Sequence, residues 1–186
     1  DGLTPSLALQ NIAREKYKGS KFIMIRPHAR SFFYNTEHLK VMKESIKSAK
    51  NHGAEGVVFG ALNDGKIDFK INEELLYTAH QLNLKCTFHK AIDSCNHVKQ
   101  SLIELSEMGF DWVLTSGGKK NAELGIKNLI EMSHIPNRKI KILVGGGISP
   151  INCQKFNNIG IDGLHFSIDK NKIVEEKKIE LIMEKI

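Results

Sequence analysis

Short apolar stretches alternate with helical patterns along most of this 186-residue sequence. Each stretch is nearly continuous in apolar residues, which is typical of strands buried on both faces of a parallel sheet. The repeating unit of strand, loop and helix is about 30 residues long, the length of a βαβ unit. The predicted strands cover residues 21–27, 56–62, 85–91, 111–117, 141–147 and 162–167.

Apolar residues at helical spacing separate these strands. Asn72 is the predicted N-cap of the second helix between strands, and Ser149 is the predicted N-cap of the last, with Pro150 at its first position. The predicted helices cover residues 36–53, 72–83, 97–109, 122–133 and 149–160. Three of them lead into similar phrases, HGAEGVVF, MGFDWVLT and IGIDGLHF, and such regularity favours a closed ring of units over an open doubly wound sheet.

The sequence therefore predicts an α/β fold, a (β/α)8 barrel of the TIM type. Such a barrel needs eight strands and six are visible, while the first feature of the sequence is a helix opened by Pro5. We expect the first two strands to be absent from this sequence, so that residues 1–186 form a single barrel domain that is incomplete at its N-terminus. The loop after Ser167 is expected to be short or skipped.

Composition excludes several classes of protein. The net charge of +6 comes from 27 basic and 21 acidic residues, but the lysines are scattered over predicted helices, as on a solvated surface, and do not indicate a nucleic-acid partner. No apolar run approaches the roughly 18 residues of a membrane span, and no secretory signal is visible. The three cysteines form no CxxC motif, which favours a reducing, cytoplasmic location over a disulfide or zinc framework.

Polar residues follow the predicted strands, at the end of the barrel where active sites of this fold lie. Arg26, His89 and Asp93 are the candidate catalytic group. The candidate ligand-binding residues are His28, Arg30, Lys90, Thr115, Ser116, Gly145, Gly146, Gly147 and His165.

Structural roles for the same residues stay open. Arg26 and Asp93 could form an ion pair, which would lower the pKa of the carboxylate, while His89 is expected to titrate near neutrality. His89 and His165 could also be hydrogen-bonded core residues.

The turn GGG at 145–147 would follow the seventh barrel strand. Backbone amides that no side chain covers, together with a helix N-terminus, make that position a frequent phosphate site.

Seven stretches in order resemble the copper homeostasis protein CutC family: GLTPS, MIRP, FFYN, GAEGVVFGALNDGKID, TFHKAID, VLTSGG and GGGI. The resemblance implies a cytosolic (β/α)8 barrel, a role in copper tolerance and a homo-oligomer. Cu(I) ligation proposed in the family relies on cysteines near the first strands. Where the family has Arg-Pro-Arg this sequence has Arg26-Pro27-His28, and Lys90 stands where the family has arginine.

Two functions remain open. A Cu(I)-binding or copper-trafficking protein would need soft sulfur ligands, but Cys86 is expected on the strand face opposite His89, and neither Cys86 nor Cys95 is a convincing ligand. The alternative is a barrel enzyme that acts on a small phosphorylated or otherwise anionic metabolite. His89 or Asp93 would then serve as acid or base, and Arg26 and Lys90 would hold the anion.

Overall fold

The computed structural model describes residues 2–167, 169–170, 173–174 and 176–186. The strands are β1 (Phe22–Met24), β2 (Gly56–Phe59), β3 (Leu62–Asn63), β4 (Lys66–Ile67), β5 (Lys85–Phe88), β6 (Trp112–Thr115), β7 (Lys141–Gly145), β8 (Gly163–His165), β9 (Asp169–Lys170) and β10 (Ile173–Val174). The α-helices are α1 (Leu7–Lys16), α2 (Thr36–Asn51), α3 (Phe69–Gln81), α4 (Val98–Met108), α5 (Ile126–Ser133) and α6 (Glu176–Met183), and 3-10 turns span Lys90–Ser94 and Cys153–Phe156.

Six of these strands form one parallel sheet in the order β1-β2-β5-β6-β7-β8. The sheet curls into a half-barrel, which confirms the predicted fold class and the parallel order of the six predicted strands. Because every strand runs in the same direction, all six carboxyl ends lie at one end of the sheet, which we call the mouth.

The two faces of the sheet differ in their covering. The face toward the helices is buried in the four central strands, with Val57, Phe88 and Val144 among its side chains, and it packs against the apolar stripes of α2 to α5. The concave face borders a cavity of about 430 Å³ lined by Phe22, Met24, Val58, Thr87, Trp112, Leu114, Leu143 and His165. In the described residues, no helix is both long and apolar enough to cross a membrane.

Helix α3 begins earlier than the sequence predicted. Its N-cap is Asp68, whose carboxylate accepts the amide hydrogen of Ile71 at 3.1 Å, so the predicted cap at Asn72 is wrong. Asn72 is instead buried inside the helix, where it accepts from the amide of Ala61 at 3.0 Å and donates to the Ala61 carbonyl at 2.8 Å. These bonds fix the chain just beyond β2 against α3.

Turn chemistry also shapes two further segments, and in one of them the predicted helix is wrong. The chain after β2 forms a β3–β4 hairpin whose turn residues, Asp64 and Gly65, both have positive φ, as a tight hairpin requires. The helix predicted at 149–160 is only the 3-10 turn Cys153–Phe156. The side chain of Asn152 accepts from the amide of Ser149 and donates to the carbonyl of Gly147, both at 2.8 Å, and so competes with helical bonding.

The segment directly after Ser167, where a short or skipped loop was predicted, includes residues 168, 171, 172 and 175, which lie outside the described residues.

Candidate functional site

The carboxylate of Asp93 is the most heavily bonded group at the mouth. It accepts from Thr115 Oγ1 at 2.6 Å, from the Ser116 amide at 2.9 Å and hydroxyl at 2.9 Å, and from the Gly118 amide at 2.8 Å. Lys90 Nζ completes the set at 2.6 Å. We call these five residues the Asp93 hub. With so many donors on its two oxygens, the carboxylate holds the loop after β6 in place.

The ionic partner of Asp93 differs from the one predicted. The expected pairing was with Arg26, and the structure assigns Lys90 instead. Lys90 Nζ also lies 2.6 Å from Ser116 Oγ, so the ammonium group is part of the same hydrogen-bond network. The guanidinium of Arg26 donates to the carbonyl of Ala29 at 3.2 Å, and its carbon lies 4.8 Å from the centre of the Phe32 ring.

His89 is buried, with 4% of its surface exposed. Its Nδ1 accepts the amide hydrogen of Ala91 at 3.3 Å, which leaves the ring hydrogen on Nε2. Burial, and then the charge of Arg26, lower the pKa of His89 to about 4. The imidazole is therefore neutral at pH 7, and the expectation that it titrates near neutrality is wrong.

Aromatic and cationic residues surround this imidazole on the β1 side. The ring centre of Phe32 lies 5.0 Å from that of His89, and the ring of His28 lies 5.2 Å from Tyr34 and 4.6 Å from His38. We call the group Arg26, His28, Phe32, Tyr34, His38 and His89 the Arg26 cluster. Its members come from the end of β1, the loop that follows, the start of α2 and the end of β5, so it is built by tertiary structure.

Electrostatics within the Arg26 cluster oppose additional positive charge. Desolvation lowers the pKa of His28, and the neighbouring His38, Arg30 and Arg26 lower it further. Burial raises the pKa of Tyr34, although the charge of Arg26 acts in the opposite direction. The cluster thus holds a guanidinium beside side chains that favour their neutral forms.

Sequence reasoning did not select Phe32, Tyr34 or His38, because it considered mainly strand ends. His38 follows Asn35, the N-cap of α2, and the two side chains form a capping box: Asn35 Oδ1 accepts from the His38 amide at 2.9 Å. The phrase FFYN followed by a helical pattern was the available signal, since aromatic residues in a loop leading to a capped helix indicate packing against the mouth.

The glycine turn after β7 packs against the Asp93 hub. Gly146 has φ +108°, a conformation that favours glycine, and a Cβ there would also lie 3.2 Å from Lys90 Nζ and 3.3 Å from Ser116 Cβ. The segment that follows the turn is a four-residue 3-10 helix, so the helix N-terminus expected there has no counterpart. His165, exposed at the end of β8, has its pKa lowered by partial desolvation and by the charge of Lys90.

The three thiols do not fit a Cu(I) site. Burial and the charge of Asp111 raise the pKa of Cys86 to about 12, and burial raises that of Cys95, whereas a metal ligand must be a thiolate. Cys153 is buried on a separate 3-10 turn. Over the described ranges, no group of three or more histidine, cysteine, aspartate or glutamate residues is arranged to hold a metal ion.

Parallel strands joined by helices, with polar groups gathered at the carboxyl ends of the strands, define a protein of the TIM-barrel class. Solved structures agree on the fold. CutC of Streptococcus agalactiae, named as a copper homeostasis protein, superposes with a TM-score of 0.80 at 29% identity and covers 88% of this chain and 81% of its own. A 3-hexulose-6-phosphate synthase from Salmonella typhimurium shares the fold at a TM-score of 0.62 and 17% identity, over 96% of this chain and 80% of its own.

A model of the CutC family matches residues 1–170. A CutC family protein of Vibrio cholerae serotype O1 is 38% identical over 168 residues, which are 89% of this chain and 66% of the relative. One from Bacteroides fragilis is 36% identical over 169 residues, again 89% of this chain and 66% of the relative. The chain belongs to the CutC family, and it spans just under two thirds of the length of these curated relatives.

Proposed function

We propose that this chain acts in copper homeostasis in the cytoplasm by binding a small anionic metabolite at the mouth, and not by holding copper on thiolates. Membership of the CutC family supports the link to copper, since the Streptococcus agalactiae protein is named for copper homeostasis. Three free cysteines fit a reducing compartment.

The observation that carries the anion site is the proximity of Arg26 to a buried, neutral His89, with the Phe32 ring in contact with both. Arg26 supplies a permanent positive charge and a planar set of donors, which suits carboxylates and phosphates. Arg30 is exposed, and it lies close enough to His28 for its charge to lower the pKa of that histidine. It therefore adds positive charge next to the Arg26 cluster. The negative charge of Asp93 is already paired with Lys90.

The chemistry that these residues could perform is donation of a hydrogen bond to developing negative charge. A neutral imidazole that carries its hydrogen on Nε2 can polarise a carbonyl or stabilise an oxyanion without first changing its protonation state. In the enzymatic form of the proposal, His89 is therefore the hydrogen-bond donor to the developing negative charge, Arg26 holds the anion, and Asp93 positions Lys90 and the loop after β6.

Titration of inorganic phosphate by calorimetry tests the proposal. We expect Arg26→Gln to weaken binding by about tenfold or more, the equivalent of one lost charged hydrogen bond. Lys47→Gln is the matched control, because it removes the same charge from an exposed position on α2, where Lys47 pairs with Glu44. Absence of binding to the wild type, or equal losses in both variants, would contradict a specific anion site.

A further inference from the structure

The Nε2–H group of His89 is a buried donor that finds no hydrogen-bond partner among the residues that the structure describes. Most buried donors in proteins are paired, and leaving one unpaired is unfavourable. The other tautomer would not remove the unpaired donor, because Nδ1 already accepts the amide hydrogen of Ala91 and cannot carry the ring hydrogen. This donor is therefore held in a fixed position with its hydrogen directed to an acceptor other than the described residues.

The backbone around His89 is shaped to receive its ring. Gly60, just beyond β2, faces the imidazole, and a Cβ at Gly60 would lie 2.9 Å from both Nδ1 and Cε1 of His89. A residue with a Cβ at position 60 would displace the ring. The main chain at Gly60 therefore fixes the orientation of the imidazole and of its unpaired donor.

The aromatic ring of Phe32 is the second neighbour of this imidazole. It contacts both the imidazole of His89 and the guanidinium of Arg26. The backbone of Phe32 is anchored, because its carbonyl accepts from the Leu62 amide at 2.8 Å. The side chain itself is only partly buried and belongs to a loop whose next residue, Phe33, is 55% exposed. Since the side chain is partly exposed while its backbone is anchored, we expect a change of the Phe32 rotamer to expose His89 without displacement of the loop.

We propose that Phe32 is a displaceable cover over a ligand subsite, in which an oxygen atom of an oxoanion takes the Nε2–H hydrogen bond of His89 while Arg26 binds its charge. This subsite rests on the proposed anion-binding function and specifies its ligand. The ligand atom at His89 must be an acceptor, since Nε2 carries the hydrogen, and the ligand must be anionic, since Arg26 lies beside it. A phosphate ester or a carboxylate meets both conditions, and a cationic amine meets neither.

A closed cover reduces the apparent affinity for the ligand by the fraction of molecules that are open. We therefore expect Phe32→Ala to bind inorganic phosphate or oxalate several-fold more tightly than the wild type, and Phe32→Leu to show a smaller gain in the same direction. Phe33→Ala, at the exposed neighbouring position, is the matched control and should bind as the wild type does. Urea unfolding of each variant verifies that it is folded.

Nitrogen-15 NMR of the histidine rings provides the second readout. We expect the Nε2 resonance of His89 to shift on addition of the anion, while Nδ1 keeps its unprotonated signature. Comparison of phosphate with oxalate tells which kind of oxoanion fits better.

The outcomes separate the subsite from the broader function. If phosphate or oxalate binds and Arg26→Gln weakens it, but Phe32→Ala also weakens it or the His89 resonance stays unchanged, the covered subsite is wrong and anion binding stands. If neither anion binds to the wild type or to the Phe32 variants, both proposals fail.

Discussion

The Asp93 hub and the Arg26 cluster lie side by side at the mouth, joined by the consecutive residues His89 and Lys90, yet they differ in how their polar atoms are satisfied. In the hub, the Asp93 carboxylate is saturated by donors from its own chain. In the cluster, Nε2 of His89 and Nδ1 of His28 lack partners among the described residues. A saturated group stabilises the fold, whereas an unsatisfied one next to a cation has bonding capacity left for a ligand.

The largest expected effect follows from removing the centre of the hub. Asp93→Ala leaves the ammonium group of Lys90 and several buried donors without their acceptor, so the free energy of unfolding should fall by about 3 kcal/mol. Urea unfolding monitored by circular dichroism measures this loss.

Lys90→Met is the companion variant, since it removes the ion pair but keeps the bonds from Thr115, Ser116 and Gly118. It should cost about 1 kcal/mol, because the Lys90 side chain is 38% exposed. Wild-type stability in Asp93→Ala would break the comparison and return Asp93 to the candidate acids and bases.

A smaller effect is expected from pH, and it belongs to the cluster. His89 has a pKa of about 4 in the folded protein against an ordinary value of 6.5. Between these values the unfolded chain binds a proton that the folded chain does not, so stability rises with pH in this window and is lost as pH falls from 6.5 toward 4. We expect a loss of about 2 kcal/mol from this group between pH 7.5 and pH 5.

His89→Leu isolates this contribution, because it fills a similar volume and removes the titrating group while leaving His28 and His165 in place. Its stability should therefore depend less on pH than that of the wild type, by the amount stated. Identical pH profiles for the two proteins would mean that the imidazole is not held neutral by burial.

The smallest expected effect is the contribution of the thiols to Cu(I) binding. Because burial keeps Cys86 protonated, we expect Cu(I) titrated against a competing chelator to leave the chelator saturated, and Cys86→Ser and Cys95→Ser to behave as the wild type does. Stoichiometric binding that resists the chelator and disappears in either variant would favour a thiolate site over the anion site.

The sequence was sufficient for the arrangement of the sheet, because buried parallel strands produce continuous apolar runs whatever their detailed contacts. It was insufficient where side chains compete with the backbone. Asp68 and Asn72 are both good N-cap residues, and only the position of Ala61 decides that Asn72 is a buried clamp. The hairpin at Asp64 and Gly65 did carry a readable turn signal.

For the site, strand ends predicted which residues gather at the mouth but not what each one does. Arg26 was the predicted partner of Asp93, and the observed pairing with Lys90 depends on the 3-10 turn that places Lys90 and Asp93 on one side, three residues apart. The depth of His89 depends on Phe32 and Gly60, which are distant in sequence. Neither contact produces a periodic pattern, so neither could be predicted from the sequence.

The Asp93 hub also bears on how sequence constancy at a barrel mouth is interpreted. An unchanging aspartate at a strand end invites a catalytic role. Asp93 binds donors from its own turn and from the loop after β6, so a substitution there has to be matched by changes at several positions at once. Selection for folding alone would keep such a residue fixed, even in descendants that had lost all activity. A change of ligand would instead appear as substitutions in the Arg26 cluster, whose polar atoms have fewer partners within the protein.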